Sequence, residues 1–254
     1  MPKVLISDKL SEDAVRIFQD NNIDVDFEPG LGKEPERLAG LIGEYDGLAV
    51  RSATKATADL IAKADNLKVI GRAGIGVDNI DIAAASARGI VVMNTPFGNS
   101  ITTAEHAIAM MFAVARQIPE ANASTHAGKW EKSAFMGTEI TGKTLGLVGC
   151  GNIGSVVAAR ALGLKMTVIA YDPFLSMARA QELGVTKIEE IEDLLVRADF
   201  VTLHLPKTEK TAGLLSAERI AKMKPGARLI NCARGGLVDE AAVAAALKSG
   251  ALAG

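Results

Sequence analysis

Short runs of apolar, mostly β-branched residues recur along the chain, separated by longer segments in which apolar residues follow helical spacing. The runs are mostly continuous rather than alternating, which is typical of strands that helices cover on both faces. Strand–helix–strand units of this kind build parallel sheets, so the pattern predicts an α/β fold. The first helix is predicted over residues 11–20, with Ser11 at its start and Glu12 and Asp13 in its first turn. The predicted strands are residues 3–7, 23–27, 47–50, 68–72, 90–93, 144–149, 166–172, 199–206 and 227–233.

One segment, residues 94–101 ("NTPFGNSI"), interrupts this alternation with a proline, a glycine and two asparagines. Such residues favour turns, and a strongly apolar helical stretch, "ITTAEHAIAMMFAVARQ", follows at once. We therefore place a boundary here and predict two α/β domains, residues 1–98 and 99–254. Residues 118–143 are polar and contain several glycines, and we predict an irregular connection there.

Composition limits the classes of protein to which the chain can belong. Apolar residues make up 48% and charged residues 23% of the 254 residues, the ordinary balance of a globular protein. A formal charge of −2 leaves no basic excess, which argues against a nucleic-acid or membrane-surface protein. No apolar run is long enough to cross a membrane, and the N-terminus lacks the apolar core of a signal peptide. Because Cys150 and Cys232 are the only cysteines, we expect a cytoplasmic protein without a disulfide framework.

The stretch "KTLGLVGCGNIGSVVAARALG" carries the most specific motif, in which Gly149, Gly151 and Gly154 form G-x-G-x-x-G. The motif follows a predicted strand and opens a predicted helix, and the next strand ends at Asp172, which is the full context of a dinucleotide-binding turn. The free amides of the helix N-terminus suit a pyrophosphate. Asp172 suits both ribose hydroxyls and would repel a 2′-phosphate, so we predict NAD rather than NADP. The alternative is a glycine-rich turn that binds nothing.

A permanent positive charge, Arg234 in "INCARGGLVDE", follows the last predicted strand. In open parallel sheets ligands bind beyond the carboxyl ends of the strands, where an arginine suits a carboxylate or a polarised carbonyl oxygen. Gly235 and Gly236 would leave space beside it. The alternative, equally favoured by the local sequence alone, is an exposed arginine paired with Asp239 or Glu240.

Two further arginines, Arg51 and Arg72, end predicted strands of the first domain. Taken alone, each is more often a solvated strand end than a ligand contact. Together with the nearby backbone amides of Gly74 and Gly76 they could bind an anion in a cleft between the two domains. Three arginines suit a small acid that carries a carboxylate, with or without a phosphate, better than a neutral substrate.

The three histidines give weaker signals. His106 lies among apolar residues of a predicted helix, and we expect it to pack in the core. His126 lies in the polar connection and is expected to be exposed. His204 ends a predicted strand near the cofactor, but no carboxylate in its local sequence could orient it as a general base. No Cys/His cluster has metal-ligand spacing, so we predict no metal site.

Four stretches, "VIGRAGIGVDNID", "NTPFGNS", "VGCGNIG" and "LINCARGGLVDE", resemble motifs of the D-isomer-specific 2-hydroxyacid dehydrogenases. The resemblance runs along essentially the whole chain. It implies two doubly wound parallel-sheet domains, a flavodoxin-like substrate-binding (catalytic) domain over 1–98 and an NAD-binding Rossmann domain over 99–254. In such enzymes a hydride passes between the substrate C2 and NAD, an arginine holds the substrate, and a histidine–glutamate pair moves the hydroxyl proton.

The resemblance also implies roles for individual residues. Arg234 matches the catalytic arginine. The positions that match substrate contacts are Arg51, Ser52, Arg72, Ala73 and Gly74. The positions that match cofactor contacts are Ile75, Gly149, Gly151, Asn152, Ile153, Gly154, Asp172, Leu205, Pro206, Cys232, Ala233 and Arg234.

The chain departs from the family pattern after "GALAG", where the family continues with a strand, the catalytic glutamate and histidine, and a segment that completes the substrate domain. The resemblance therefore implies a C-terminally truncated chain, an incomplete Rossmann domain and little or no turnover by these residues alone. The helix over 100–117 corresponds to a region that pairs subunits in the family, which implies a homo-oligomer, a dimer or a tetramer.

Several functions stay open within and beyond this resemblance. "RSATK", "GRAGIGVDN" and "NCARGGLVDE" are together most similar to enzymes that oxidise 3-phosphoglycerate to 3-phosphohydroxypyruvate, the first step of L-serine biosynthesis. A small phosphorylated 2-hydroxy acid is then the expected substrate. The alternatives are another D-2-hydroxyacid dehydrogenase, such as a glyoxylate or hydroxypyruvate reductase, and a non-catalytic NAD-sensing protein of the same fold.

Overall fold

A computed structural model describes all residues from Met1 to Gly254. The chain divides into two compact units, Met1–Asn99 and Ser100–Gly254, and each is built on one five-stranded sheet. Every strand pair in both sheets is parallel. The predicted α/β class with two parallel sheets is therefore confirmed. None of the helices combines the length and the hydropathy that a membrane crossing requires.

The first unit has the strand order β2-β1-β3-β4-β5, the flavodoxin-like arrangement. Its strands are β1 (Lys3–Ile6), β2 (Asp24–Phe27), β3 (Gly47–Val50), β4 (Val69–Arg72) and β5 (Val91–Asn94). Its helices are α1 (Glu12–Asp20), α2 (Pro35–Leu41), α3 (Ala58–Ala62) and α4 (Ile82–Ala87). The central strands bury their apolar side chains almost completely, among them Leu5, Leu48 and Ile70. Helix α1 begins where predicted, although the Ser11 side chain makes no capping hydrogen bond.

The second unit has the strand order β10-β9-β6-β7-β8, so that its first strand is central and the order reverses beside it, as in a Rossmann sheet. Its strands are β6 (Thr144–Val148), β7 (Thr167–Tyr171), β8 (Thr186–Lys187), β9 (Phe200–Leu203) and β10 (Arg228–Asn231). Its helices are α5 (Ser100–Arg116), α6 (Ile118–His126), α7 (Asn152–Gly163), α8 (Met177–Leu183), α9 (Ile191–Arg197), α10 (Ala217–Ala221) and α11 (Glu240–Ser249). Strands β6 and β9 are buried along nearly their whole length.

Two expectations for the second unit were wrong. Residues 118–143 are not irregular throughout, because α6 occupies their first part. Gln117, with a φ of 51°, separates α6 from the end of α5. His106 is exposed rather than packed in the core. Helix α5 buries a stripe of small residues and one methionine at Ala104, Ala107, Met111 and Ala115, and His106 lies off that stripe. Because α5 is apolar on most sides, its sequence did not indicate which face is buried.

Candidate dinucleotide and substrate sites

The glycine-rich turn between β6 and α7 has a shape that side chains would not allow. Gly149 has a φ of +91°, and a Cβ placed on it would lie 2.5 Å from the carbonyl oxygen of His204. A Cβ on Gly154 would lie 2.2 Å from the carbonyl oxygen of Gly149, so the first turn of α7 packs directly on the end of β6. A Cβ on Gly151 would meet no atom within 4 Å. The turn is thus closed towards the protein and open at Gly151, as a pyrophosphate site requires.

Helix α7 begins directly at this turn. Gly151 stands at its N-cap position without a side-chain cap, and the amide of Ser155 makes the first helical hydrogen bond, 2.9 Å to the Gly151 carbonyl. The amides of the first turn have no acceptor within the helix, and they lie at the positive end of the helix dipole. The residues present therefore fit the phosphates of a dinucleotide.

Asp172 follows β7 and has a second role that its position in the sequence did not reveal. One carboxylate oxygen accepts a hydrogen bond from the amide of Cys150 at 2.7 Å, and the other accepts one from the amide of Phe174 at 2.8 Å. The half-buried carboxylate thus fixes the glycine-rich turn and its own loop. Each oxygen keeps a lone pair for a ribose hydroxyl. The Asp-Pro-Phe sequence is the signal for the second bond, since aspartate commonly accepts from the amide two residues on.

The surroundings of the two cysteines in the glycine-rich motifs favour the protonated thiols. Burial and the charge of Asp172 raise the pKa of the Cys150 thiol to about 11. Burial also raises the pKa of Cys232. Both side chains therefore stay protonated and serve as small packing groups, and neither forms a disulfide.

Arg234 lies in a loop that Asn231 holds in place. The Asn231 amide nitrogen donates to the Arg234 carbonyl at 2.9 Å, and the Asn231 amide oxygen accepts from the Ala233 amide at 3.1 Å. The half-buried Arg234 side chain also donates to the Ala233 carbonyl at 2.9 Å. Asp239, considered as its ion-pair partner, accepts from the Ala242 amide at 3.0 Å and caps α11. Asn231 was not predicted as a site residue, although an asparagine at the end of a strand is a signal for such a loop.

The remaining predicted residues of the second unit lie at the same edge of its sheet. Leu205 and Pro206 follow β9, and Cys232 and Ala233 follow β10. Because β6, β7, β9 and β10 are parallel, their carboxyl ends meet at one edge with the glycine-rich turn and Asp172.

The predicted substrate residues follow β3 and β4 at the carboxyl edge of the other sheet. Arg51 and Ser52 are exposed, whereas Arg72 is buried. The Arg72 guanidinium donates to the carbonyl of Arg51 at 3.2 Å and to that of Gly76, and it pairs with Asp78 at 3.2 Å. Arg72 therefore braces the loop that carries Ala73, Gly74 and Ile75, and its contact with a ligand stays a prediction. In that loop the carbonyl of Ile75 accepts from the Asn94 side chain at 2.6 Å.

His204 is a neutral, half-buried imidazole directly after β9. Its Nε2 lies 2.9 Å from the hydroxyl of Thr202, and its Nδ1 is buried without a hydrogen-bond partner. Burial lowers its pKa from 6.5 to about 4. At neutral pH this side chain therefore carries no proton to donate as an imidazolium.

The lowered pKa of His204 predicts a loss of stability in mild acid. The unfolded chain binds a proton near pH 6.5 and the folded chain only near pH 4, so the contribution is present above pH 6.5 and is lost as the pH falls to 4. Between pH 7 and pH 5 the loss is about 2 kcal/mol in the free energy of unfolding. Denaturant titrations of wild type and His204→Gln measure it. We expect a flatter pH profile for His204→Gln and an unchanged one for the exposed His126→Gln; equal slopes for all three would contradict the assignment.

The chain matches one family model over part of its length and several curated proteins over nearly all of it. The sequence model of the family "D-isomer specific 2-hydroxyacid dehydrogenase, NAD binding domain" matches residues 108–254. The chain is 49% identical to D-3-phosphoglycerate dehydrogenase from Archaeoglobus fulgidus over 99% of its own length and 47% of that protein. It is also 49% identical to the enzyme of that name from Synechocystis over 100% of its own length and 45% of that protein. The chain thus spans about half the length of the curated relatives it matches.

Solved structures extend this comparison to the fold. A protein from Thermus thermophilus superposes with a TM-score of 0.91 at 36% identity, covering 99% of this chain and 80% of the other. A glyoxylate reductase from Paecilomyes thermophila superposes with a TM-score of 0.90 at 29% identity, covering 99% and 79%. The second unit contains an NAD-binding domain. The family predicted from the motifs is confirmed: the chain belongs to the D-isomer specific 2-hydroxyacid dehydrogenase family.

Proposed function

We propose that the chain binds NAD and 3-phosphoglycerate for their interconversion with NADH and 3-phosphohydroxypyruvate, the first step of L-serine biosynthesis. The observation that carries this proposal is the 49% identity to D-3-phosphoglycerate dehydrogenases along nearly the whole chain. Residues 1–98 would bind the substrate and residues 99–254 the cofactor. The absence of a disulfide between the two thiols suits a cytoplasmic location.

The second unit would hold the cofactor, which exchanges a hydride with C2 of the substrate when bound. The open side of the turn at Gly151 and the first turn of α7 would bind the pyrophosphate. Asp172 would accept hydrogen bonds from the adenosine ribose, and its charge would disfavour the 2′-phosphate of NADP. Leu205, Pro206 and the loop Cys232–Arg234 would lie against the nicotinamide end.

The acidic substrate would be held by charge and by backbone amides. Arg234 offers a fork of donors for the substrate carboxylate or the carbonyl oxygen at C2. Arg51 and Ser52 after β3, and the braced loop of Ala73 and Gly74 after β4, would bind the other anionic group.

Proton transfer at the C2 hydroxyl needs a titrating group, and the residues that we propose as substrate contacts, Arg51, Ser52, Ala73, Gly74 and Arg234, include none. The pKa of His204, about 4, keeps its side chain as the neutral imidazole at neutral pH, so that no imidazolium is present to act as an acid. The polypeptide 1–254 by itself is therefore expected to turn over slowly, since proton transfer contributes about 10²–10⁴-fold to such rates. Binding is the sharper test of the proposed function.

Titration of the chain with NADH, and then of the NADH complex with acids, separates the candidate functions. We expect NADH to bind and phosphohydroxypyruvate to bind at least tenfold more tightly than hydroxypyruvate or glyoxylate. Arg234→Gln should lower the affinity for phosphohydroxypyruvate about 10–100-fold, because a charged hydrogen bond is lost. The control Arg197→Gln, at an exposed residue, should keep the wild-type affinity. Preference for an unphosphorylated acid would instead indicate another D-2-hydroxyacid dehydrogenase. NADH binding without any acid binding would indicate an NAD-sensing protein.

The same proposal includes a homo-oligomer, a dimer or a tetramer. Helix α5 and the residues after it expose several large apolar side chains to solvent. They include Ile101, Met110, Ile118 and Trp130. Exposed apolar side chains of this size are candidates for an interface between subunits. Light scattering measures the mass in solution, and a monomer at all concentrations would contradict the proposal.

A further inference from the structure

A buried carboxylate, Asp8, lies two residues after the end of β1 and has no role in the proposed contacts. Only 2% of Asp8 is exposed. Burying a charge is costly unless hydrogen bonds replace its water. The donors that replace water at Asp8 come from the loop Arg51–Thr54, which follows β3 on the neighbouring strand.

Asp8 holds both ends of this loop by their amides. The Arg51 amide donates to one carboxylate oxygen at 2.6 Å, and the Thr54 amide lies 3.1 and 3.2 Å from the two oxygens. The Thr54 hydroxyl donates to Asp8 at 2.9 Å and is also 2.7 Å from the hydroxyl of Ser7. Ser7 and Thr54 are fully buried.

Asn79 holds the same two loop residues by their carbonyls. Its side-chain nitrogen donates to the Arg51 carbonyl at 2.8 Å and to the Thr54 carbonyl at 2.7 Å. The Arg51 carbonyl also accepts from Arg72 at 3.2 Å. The amides of Arg51 and Thr54 are therefore fixed by Asp8 and their carbonyls by the loop after β4, while Ser52 between them is exposed.

Gly32 closes this network on a third side. A Cβ on Gly32 would lie 2.4 Å from an Asp8 carboxylate oxygen and 2.4 Å from the Thr54 hydroxyl. The Gly32 amide donates to the Ser7 carbonyl at 3.0 Å. The side chains of Asp8 and Thr54 therefore have no room to shift on this side, and their hydrogen bonds fix the position of the loop.

We propose that Asp8 is a positioning residue: its carboxylate fixes the backbone of Arg51–Thr54 and so sets where Arg51 and Ser52 meet the acidic substrate. This inference rests on the proposed function, since it assumes that these residues bind the substrate. It adds a residue that does not itself contact the ligand. In an Asp8→Asn variant the side-chain NH2 would face backbone amides that are also donors, so the loop would lose its fixed position.

Asp46 provides a matched control at the opposite edge of the same sheet. Its carboxylate also accepts a backbone amide, that of Lys3 at 2.9 Å, and pairs with Lys68 at 2.8 Å. It lies before β3 rather than after it. Asp46→Asn therefore removes a comparable structural carboxylate far along the strand from the predicted substrate loop.

The test measures binding of NADH and of phosphohydroxypyruvate to the 254-residue chain and its variants. We expect Asp8→Asn to lower the affinity for phosphohydroxypyruvate at least tenfold and Asp46→Asn to lower it less than twofold. The affinity for NADH should change less than twofold in both variants. Thr54→Val, which removes the donor, should behave like Asp8→Asn, and Thr54→Ser, which keeps it, like wild type. If Asp8→Asn does not fold, the phosphohydroxypyruvate affinities of Thr54→Val and Thr54→Ser test the positioning role in its place.

The outcomes separate this inference from the proposed function. Equal phosphohydroxypyruvate affinity in wild type, Asp8→Asn and Thr54→Val would overturn the positioning role and leave the proposed function intact. If Asp8→Asn and Asp46→Asn lower the phosphohydroxypyruvate affinity equally, Asp8 is only a structural residue, and the positioning role is overturned as well. If wild type binds NADH and no phosphohydroxypyruvate, the proposed function is overturned and the role of Asp8 with it.

Discussion

Replacing Gly154 by alanine is expected to abolish measurable NADH binding and to lower the melting temperature by about 6–12 °C. The added methyl group would lie 2.2 Å from the carbonyl oxygen of Gly149 and 3.0 Å from its carbonyl carbon. Overpacking a core typically costs about 1–3 kcal/mol, and here backbone atoms rather than a side chain must move, so we expect about 3 kcal/mol. The start of α7 would move away from β6 and carry the phosphate-binding amides with it. Calorimetry and NADH fluorescence titration measure the two effects.

Two other glycines of the same segment serve as controls for Gly154→Ala. A Cβ at Gly163, the last residue of α7, would meet no atom within 4 Å, so Gly163→Ala should match wild type in both measurements. Gly151 has the same open surroundings but faces the predicted pyrophosphate. Gly151→Ala should therefore keep the wild-type melting temperature and still weaken NADH at least tenfold. A Gly154→Ala variant with wild-type stability and affinity would refute the close packing of helix on strand.

Replacing Asp172 by asparagine is expected to lower the affinity for NADH about 10–100-fold and to remove most of the discrimination against NADPH. The asparagine has one acceptor oxygen where the carboxylate has two, and the carboxylate oxygens already accept from the amides of Cys150 and Phe174. The variant must therefore release part of the turn or lose a ribose contact. Loss of the negative charge also removes a repulsion of about 1–4 kcal/mol towards a 2′-phosphate at close range.

Separate titrations with NADH and NADPH measure this change in preference. Asp193→Asn is the matched control, because Asp193 is an aspartate of α9 in the same unit and its replacement changes the net charge equally. We expect Asp193→Asn to keep the wild-type ratio of the two affinities. A wild-type ratio in Asp172→Asn would show that another group sets the cofactor preference.

The hydrophobic pattern was sufficient for most of the fold because continuous apolar runs bounded by turn residues are specific for buried parallel strands. Every predicted run overlaps a strand, with ends that differ by a few residues. Strand β8 was missed because it has only two residues, Thr186 and Lys187, and no apolar run marks it. Helix α6 was missed because its residues are polar and no apolar stripe follows helical spacing.

The candidate site was predictable only where its determinants are local. The glycine spacing and the position of Asp172 encode a turn within one strand–helix–strand unit, so the sequence alone indicates them. Asp8 and Asn79 act on a loop 43 and 28 residues away from them along the chain, and no local pattern indicates such a contact. Arg72 ends a strand as predicted, but the contacts that bury it depend on how its own loop folds back.

The hydrogen bonds of Asp8 and Asn79 have a thermodynamic consequence for ligand affinity. Ordering the backbone of a free loop costs about 1–2 kcal/mol per residue in conformational entropy. In Arg51–Thr54 the end residues are already fixed by bonds from Asp8 and Asn79 to backbone atoms. That entropy is lost during folding rather than during binding. A small acid that meets this loop therefore encounters a preorganised surface, and its few charged contacts can contribute almost entirely to affinity.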